Sequence, residues 1–356
     1  MSVIPRCSTR PLKVGRVVIG GASPISVQSM TKTDTRDVKA TVRQICELEE
    51  AGCEIVRLAV VDTEAAEAIK KIRQHTQLPL IADIHFDYRL ALECIENGID
   101  GLRINPGNIG DRSRVEMITQ RALDKRIPVR IGVNAGSLER PLLDRYGGVT
   151  AEALVESALG HIRILESLRF YDIKVSIKAS DVPLMLQAYR QLSRTVNYPL
   201  HLGVTEAGTR YTGTIKSAIG IGTLLAEGIG DTIRVSLTGP PTEEVRVGFE
   251  ILKALGLRRK GVEIISCPTC GRCQIDLLPV VEKIEQEVSS IKTPLKVAIM
   301  GCVVNGPGEA RQADVGVAGG KGVALLFKEG KPLKKIKQSE MADALLAEIK
   351  NMDLQT

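Results

Sequence analysis

One unit recurs along the first two-thirds of this chain: an apolar, strand-like segment followed by a stretch with apolar residues at i, i+3 and i+4. The strand-like segments end near Ile25 to Ser29, Ile55 to Leu58, Leu80 to His85, Gly101 to Asn105, Val129 to Asn134, Ile173 to Lys178, Leu200 to Glu206 and Thr232 to Leu237. Helical patterns between them cover Val38 to Ala51, Glu64 to His75, Tyr88 to Asn97, Ser113 to Arg126, Ala151 to Leu168 and Val182 to Thr195. Eight strands alternating with helices over about 250 residues describe an N-terminal (β/α)8 TIM-type barrel. A doubly wound sheet is the competing fold, but no G-x-G-x-x-G follows the first strand. Between the fifth and sixth strands, Ala135 to Gly148 is extra chain rich in turn residues and reads as an insertion loop over the barrel mouth.

The polar residues on these strands say what the barrel holds. Arg57, Arg103, Arg130, Lys178 and Arg234 come from five different strands. Side chains at C-terminal strand ends face the mouth, where barrel enzymes bind their substrates. Five converging cations repel one another and are costly to desolvate without a counter-charge, so a phosphate-rich ligand is the economical reading. Asn105, Asn134, Thr205 and Ser236 add hydrogen-bonding groups. A structural ion pair with Asp83 or Glu206 explains any one of the cations more easily than the set of five. Glu206, at the end of the seventh strand, is placed either to deliver a proton or to balance charge. Asp83 and His85, two apart on one strand, share a face and can meet a ligand hydroxyl or tie strands together.

From about Lys260 the pattern changes to a smaller α/β unit, giving domains of 1–257 and 258–356. It carries Ser266-Cys267-Pro268-Thr269-Cys270-Gly271-Arg272-Cys273, a helix from Leu277 to Val288, and strand Leu295 to Met300 running into Gly301-Cys302-Val303-Val304-Asn305-Gly306-Pro307-Gly308-Glu309. Strands Val315 to Ala318 and Val323 to Phe327, a hairpin edge near Gly330 and an amphipathic helix Glu340 to Lys350 follow. Four of the eight cysteines sit in the two loops. A CxxC turn closed by a distant cysteine is how chains hold a metal or an iron–sulfur cluster. Spacing leaves two readings open: a structural zinc on Cys267, Cys270, Cys273 and Cys302, or a cluster whose fourth ligand is the carboxylate of Glu309. The lysines of Lys328 to Lys337 fit a solvated sheet edge or, less simply, a dock for an acidic electron carrier.

Composition narrows the remaining classes. The apolar runs are too short to span a bilayer, and the polar, basic N-terminus has no secretory core, so a cytoplasmic protein without a disulfide framework is expected. A net charge of +6 with four Phe, six Tyr and no Trp offers little for stacking on bases, which argues against nucleic acid as a partner.

The paired cysteine loops, together with Val27-Gln28-Ser29-Met30-Thr31 and Ala82-Asp83-Ile84-His85-Phe86, closely resemble the 4-hydroxy-3-methylbut-2-enyl diphosphate synthase family, in its two-domain bacterial form. The likeness runs from about residue 10 to the end. It implies a [4Fe-4S] cluster on Cys267, Cys270, Cys302 and Glu309, with Cys273 outside the ligand set. It also implies that Arg57, Asp83, Arg103, Arg130, Asn134, Lys178, Thr205, Arg234 and Ser236 bind substrate, with Glu206 as proton donor. The implied reaction is reductive opening of 2-C-methyl-D-erythritol 2,4-cyclodiphosphate in isoprenoid biosynthesis, with electrons from ferredoxin or flavodoxin. The family further implies a head-to-tail homodimer with composite active sites. A zinc-stabilised barrel transferase or hydrolase acting on a phosphorylated substrate is the competing function.

Overall fold

The computed structural model describes residues 4–288, 291–302, 308, 313–320 and 322–354. The chain divides into two compact units, Met1–Arg258 and Arg259–Thr356.

The first unit opens with a short antiparallel hairpin, β1 (Leu12–Val14) and β2 (Val17–Ile19), turned at Gly15 with φ +54°. Leu12, Val14 and Ile19 cluster with Ile55 and Ile81, from the N-terminal halves of two barrel strands, so the hairpin plugs the floor of the barrel. Nothing in the sequence pattern announced it, because three-residue strands carry too little periodicity to register.

Eight parallel strands follow: β3 (Ser26–Met30), β4 (Ile55–Ala59), β5 (Leu80–Asp83), β6 (Gly101–Ile104), β7 (Val129–Asn134), β8 (Ile173–Lys178), β9 (His201–Leu202) and β10 (Thr232–Ile233). Their order is β8-β7-β6-β5-β4-β3-β10-β9. A parallel bridge from Val175 to Leu200 joins the two ends and closes the barrel. The expected strands are therefore all present, but β9 and β10 are two residues long, so Thr205, Glu206 and Ser236 lie past the strand ends, Thr205 N still donating to Ala179 O at 3.3 Å.

Helices cover the outside, and aspartates start five of them. Asp37, Asp62, Asp87, Asp111 and Asp181 each accept a hydrogen bond from a first-turn amide, a cap that stabilises a helix by about 1 kcal/mol. The interval 135–148, expected as a loop, folds into a 3-10 turn Ala135–Ser137 and a helix Arg140–Tyr146 ended by Gly147 at φ +67°.

Alternation along each strand assigns two kinds of residue to its two faces. On β8, Ile173, Val175 and Ile177 join the apolar core under the helices, while Lys174, Ser176 and Lys178 take the opposite face, toward the barrel axis. Barrel interiors are usually filled by branched aliphatic residues. This one is lined above its floor by charged and amide side chains.

The second unit is a five-stranded sheet of β11 (Val262–Ser266), β12 (Leu295–Met300), β13 (Val315–Gly319), β14 (Val323–Lys328) and β15 (Lys331–Lys337), in that order. The first three are parallel and the last two antiparallel. Helices Leu278–Val288 and Met341–Asp353 pack on one face, burying Ile284, Leu345 and Ile349 against Val297, Val315 and Leu326. Glu329 and Gly330 both have positive φ, as a two-residue hairpin turn of this hand requires. The lysine-rich β15 is the exposed edge of the sheet. Among the described residues, no helix is long and apolar enough to cross a membrane.

Candidate active site

Adjacent strands put the first polar cluster together. Register pairs Asp83 with Arg103 and Arg103 with Arg130, so three neighbouring strands present charged side chains on one level. The Asp83 carboxylate bridges Arg103 Nη1 at 3.1 Å and Arg57 Nε at 3.4 Å. Burial alone would push the Asp83 carboxyl up, but Arg57, a His85 hydrogen bond, Arg103 and Arg130 outweigh it and hold the group well below the usual carboxylate range. Arg57 also donates to Met30 Sδ at 3.0 and 3.2 Å. The exposed His85 ring stands 3.4 Å from Arg103 Nη1. With its carboxamide oxygen turned toward Arg103, Asn134 accepts from Nη2 at 3.1 Å.

Two glycines make room for the cations. A Cβ at Gly132 would lie 2.5 Å from Arg103 Nε, and one at Gly203 would lie 2.7 Å from Lys178 Nζ. Each long side chain thus lies flat across the bare backbone of a neighbouring strand, and any larger residue there would displace it.

Arg234 finds a partner that sequence reading passed over. Glu244, on helix Pro241–Ala254, is 1% exposed and stands 3.6 Å from Arg234 Nη2. It also accepts from Leu237 N and Ser29 Oγ and lies 3.1 Å from Lys32 Nζ. The available signal was a second acid in the first turn of a helix opened by Pro240-Pro241.

Five largely buried cations therefore meet two carboxylates, Asp83 and Glu244, at this end of the barrel. Burial pushes Arg57 down to about 10, with Arg234 and Arg103 adding to the effect against the pull of Asp83. Arg130 and Lys178 are pushed well below their ordinary values, first by burial and then by the neighbouring cations. Arg103 Nε, Arg234 Nε, and Arg130 Nε and Nη1 have no hydrogen-bond partner among the described residues. Such a mouth is short of negative charge and rich in free donors, the complement of a compact polyanion.

Glu206 is exposed in the loop after β9, with Thr205 half-buried beside it. Its φ is +51°, a left-handed backbone that costs a non-glycine residue on the order of 1 kcal/mol. Ser236 is half-buried in the loop after β10.

The cysteines occupy the second unit. Cys267 follows β11 and its amide donates to Ile299 O on β12 at 3.1 Å, while Cys302 follows the end of β12, so both loops leave the same end of two adjacent parallel strands. All eight cysteines of the chain are unbridged. Hydrogen bonds from Arg272 hold the Cys270 thiol below its ordinary value, opposed by burial and by the nearby Cys302. The Cys270 turn includes Thr269 at φ +52°. Cys273 is differently placed: its thiol donates to Ile275 O at 3.2 Å and packs on the bare Cα of Gly301. Among the described residues, the three sulfurs of Cys267, Cys270 and Cys302 are not drawn into one ligating group. Glu309 lies outside the described residues. The donor chemistry and strand-end placement fit a thiolate-held metal group.

Comparison with known families agrees with both units. Residues 9–249 match the GcpE TIM-barrel domain and residues 263–351 the GcpE protein C-terminal domain. The chain belongs to the GcpE family. Among GcpE relatives, the 4-hydroxy-3-methylbut-2-en-1-yl diphosphate synthase (flavodoxin) of Geobacter sulfurreducens is 60% identical, with 98% of each chain covered. Its namesake from Clostridium acetobutylicum is also 60% identical, over 98% of this chain and 99% of that one. Among solved structures, dihydropteroate synthase from Yersinia pestis superposes with a TM-score of 0.51 at 12% identity, covering 70% of this chain and 98% of that one. That likeness concerns the barrel fold alone.

Proposed function

We propose that this GcpE-family chain reductively opens 2-C-methyl-D-erythritol 2,4-cyclodiphosphate to 4-hydroxy-3-methylbut-2-enyl diphosphate, releasing water. The observation that carries the reading is the mouth with five cations and two carboxylates, in a chain that aligns end to end with relatives named for that product. The barrel, 1–257, is the substrate domain. Arg57, Arg103, Arg130, Lys178 and Arg234 clamp the cyclic diphosphate, with Asn134, Thr205 and Ser236 as further polar contacts. Asp83 pairs with Arg57 and Arg103 and orients both toward the diphosphate. As the ring opens, negative charge collects on the oxygen leaving C2, and these preorganised cations stabilise it more than they stabilise the intact ring.

The second unit, 258–356, is the cofactor domain. Cys267, Cys270, Cys302 and Glu309 would hold a [4Fe-4S] cluster, and Cys273 serves packing. When bound, that cluster supplies two electrons singly and a Lewis-acidic iron. Flavodoxin is the proposed donor, as in the names of the relatives. The assembly is a homodimer in which each active site draws on both subunits.

Loss of the C3 oxygen as water requires protons, and Glu206 is the group proposed to deliver one. Glu206→Gln keeps the shape and removes the acid; kcat is expected to fall about 10²- to 10⁴-fold with little change in KM. Full turnover in this variant would remove Glu206 from the mechanism.

The reading as a whole is tested on anaerobically purified protein by iron, sulfide and zinc analysis, followed by reduction and addition of the cyclodiphosphate. About four iron and four sulfide per chain, with conversion to the allylic diphosphate, is expected. One zinc, no sulfide and no conversion would return the argument to a zinc-stabilised transferase or hydrolase.

A further inference from the structure

Below the cationic mouth, the barrel bore contains a second polar layer that the proposed reaction does not use. Gln28 on β3, Lys174 on β8, His201 on β9 and Thr232 on β10 belong to four strands that are consecutive around the closed barrel. Register places Thr232 beside His201 and Lys174 beside Arg130. All four are at most 2% exposed. Their six polar side-chain atoms, Gln28 Oε1 and Nε2, Lys174 Nζ, His201 Nδ1 and Nε2, and Thr232 Oγ1, have no hydrogen-bond partner among the described residues. Buried polar atoms in folded proteins are almost always paired, so a cluster left unpaired together points to a guest.

A ligand held at the level of Lys178 is too far away to be that guest, although Arg130, the register neighbour of Lys174, borders both levels. Lys174 is four residues before Lys178 on the same strand. At about 3.3 Å rise per residue and about 36° tilt, its Cα lies roughly 11 Å deeper along the axis, more than a lysine side chain spans.

Charge decides what kind of guest fits. Burial, then Arg130 and Arg57, push the Lys174 ammonium well below its ordinary value, and the same influences, with Lys178 and Lys174, depress His201. The carboxylate nearest in charge to Lys174 is Asp231, and it is already committed. Its Oδ1 accepts from Arg6 at 2.7 Å and from Thr9 at 2.8 Å, and its Oδ2 from Leu200 N at 2.9 Å. Asp83 serves Arg57 and Arg103. Among the described residues, donors thus outnumber acceptors around a lysine without a counter-ion. Water would satisfy the hydrogen bonds but would leave the ammonium form disfavoured, whereas an anion would compensate it.

We propose that this inner polar layer of Gln28, Lys174, His201 and Thr232 binds a chloride-sized inorganic anion, beneath the diphosphate held at the level of Lys178. The anion is a structural counter-ion for the barrel core and takes no part in turnover.

Crystals grown anaerobically in sodium bromide test this directly, because bromide can be located by anomalous scattering. A bromide within hydrogen-bonding distance of Lys174 Nζ is expected; water there, or bromide confined to the mouth, overturns the proposal. The solution counterpart is the melting temperature in chloride against gluconate at equal ionic strength, with the mouth saturated by inorganic pyrophosphate. A saturable rise with chloride is expected in the wild type and its loss in Lys174→Met. Bromide in the crystal without any chloride-dependent shift in the wild type means an adventitious ion only, and counts against the proposal. Should Lys174→Met fail to fold, the wild-type crystal and titration still decide it.

Discussion

Cys302→Ser is expected to abolish the broad visible absorption of anaerobically purified protein and to take turnover of the cyclodiphosphate to the assay background. Against a typical kcat on the order of 10 s⁻¹, that is a fall of at least about 10³-fold. The size follows from what is lost: the mouth binds and polarises, but its arginines, lysine and carboxylates supply no electrons. Cys302 is 5% exposed at the end of β12 and lies close enough to Cys270 to oppose the depression of its thiol. Substrate binding, whose proposed determinants are in the barrel, should survive, so a thermal shift with the cyclodiphosphate is expected in the variant. Cys273→Ser is the informative control. Its thiol is turned to Ile275 O and packed on Gly301, so this variant should keep its colour and most of its activity. Loss of the metal group in Cys273→Ser, with retention in a Glu309→Ala variant, would favour the four-thiolate zinc site instead.

Legibility in the sequence varied with how much of an element's identity lies in its own residues. Strands such as β7 and β8 were readable because six apolar-alternating residues and a following amphipathic helix form a self-contained signal. The β1–β2 hairpin and β11 were not, since each gains its stability from a partner surface, the barrel floor for one and β12 for the other. The convergence of Arg57, Arg103 and Arg130 followed from strand position alone. The network that steadies them did not: Glu244 reaches Arg234 from a helix outside the strands, and Gly132 and Gly203 matter for the side chains that lie across them. Lys174 and His201 were passed over for a related reason. A lone charged residue in an apolar strand looks like an edge position until closure of the barrel shows that it has nowhere outward to go.

Arg130→Met should separate function from stability in opposite directions. The guanidinium is 2% exposed, is pushed well below its ordinary value by burial and by Arg57 and Arg103, and has two nitrogens without partners among the described residues. In the substrate-free protein it is a cost, and methionine fills a similar volume without it. The variant is expected to unfold about 1–4 kcal/mol less readily than wild type in the absence of ligand. With Arg130 clamping the diphosphate as proposed, its removal should lower kcat/KM by about 10²- to 10³-fold, the range of losing one partner of a buried charge pair. The pH dependence has a definite sign. Lys178 titrates lower in the folded than in the unfolded chain, so the unfolded state binds more protons between the depressed value and 10.5, and substrate-free stability should rise with pH across that window. Arg130→Met removes one of the cations responsible, so the rise should be shallower. A variant that is both less stable than wild type and fully active would show that Arg130 is a structural side chain, and that the mouth does not store the repulsion that substrate relieves.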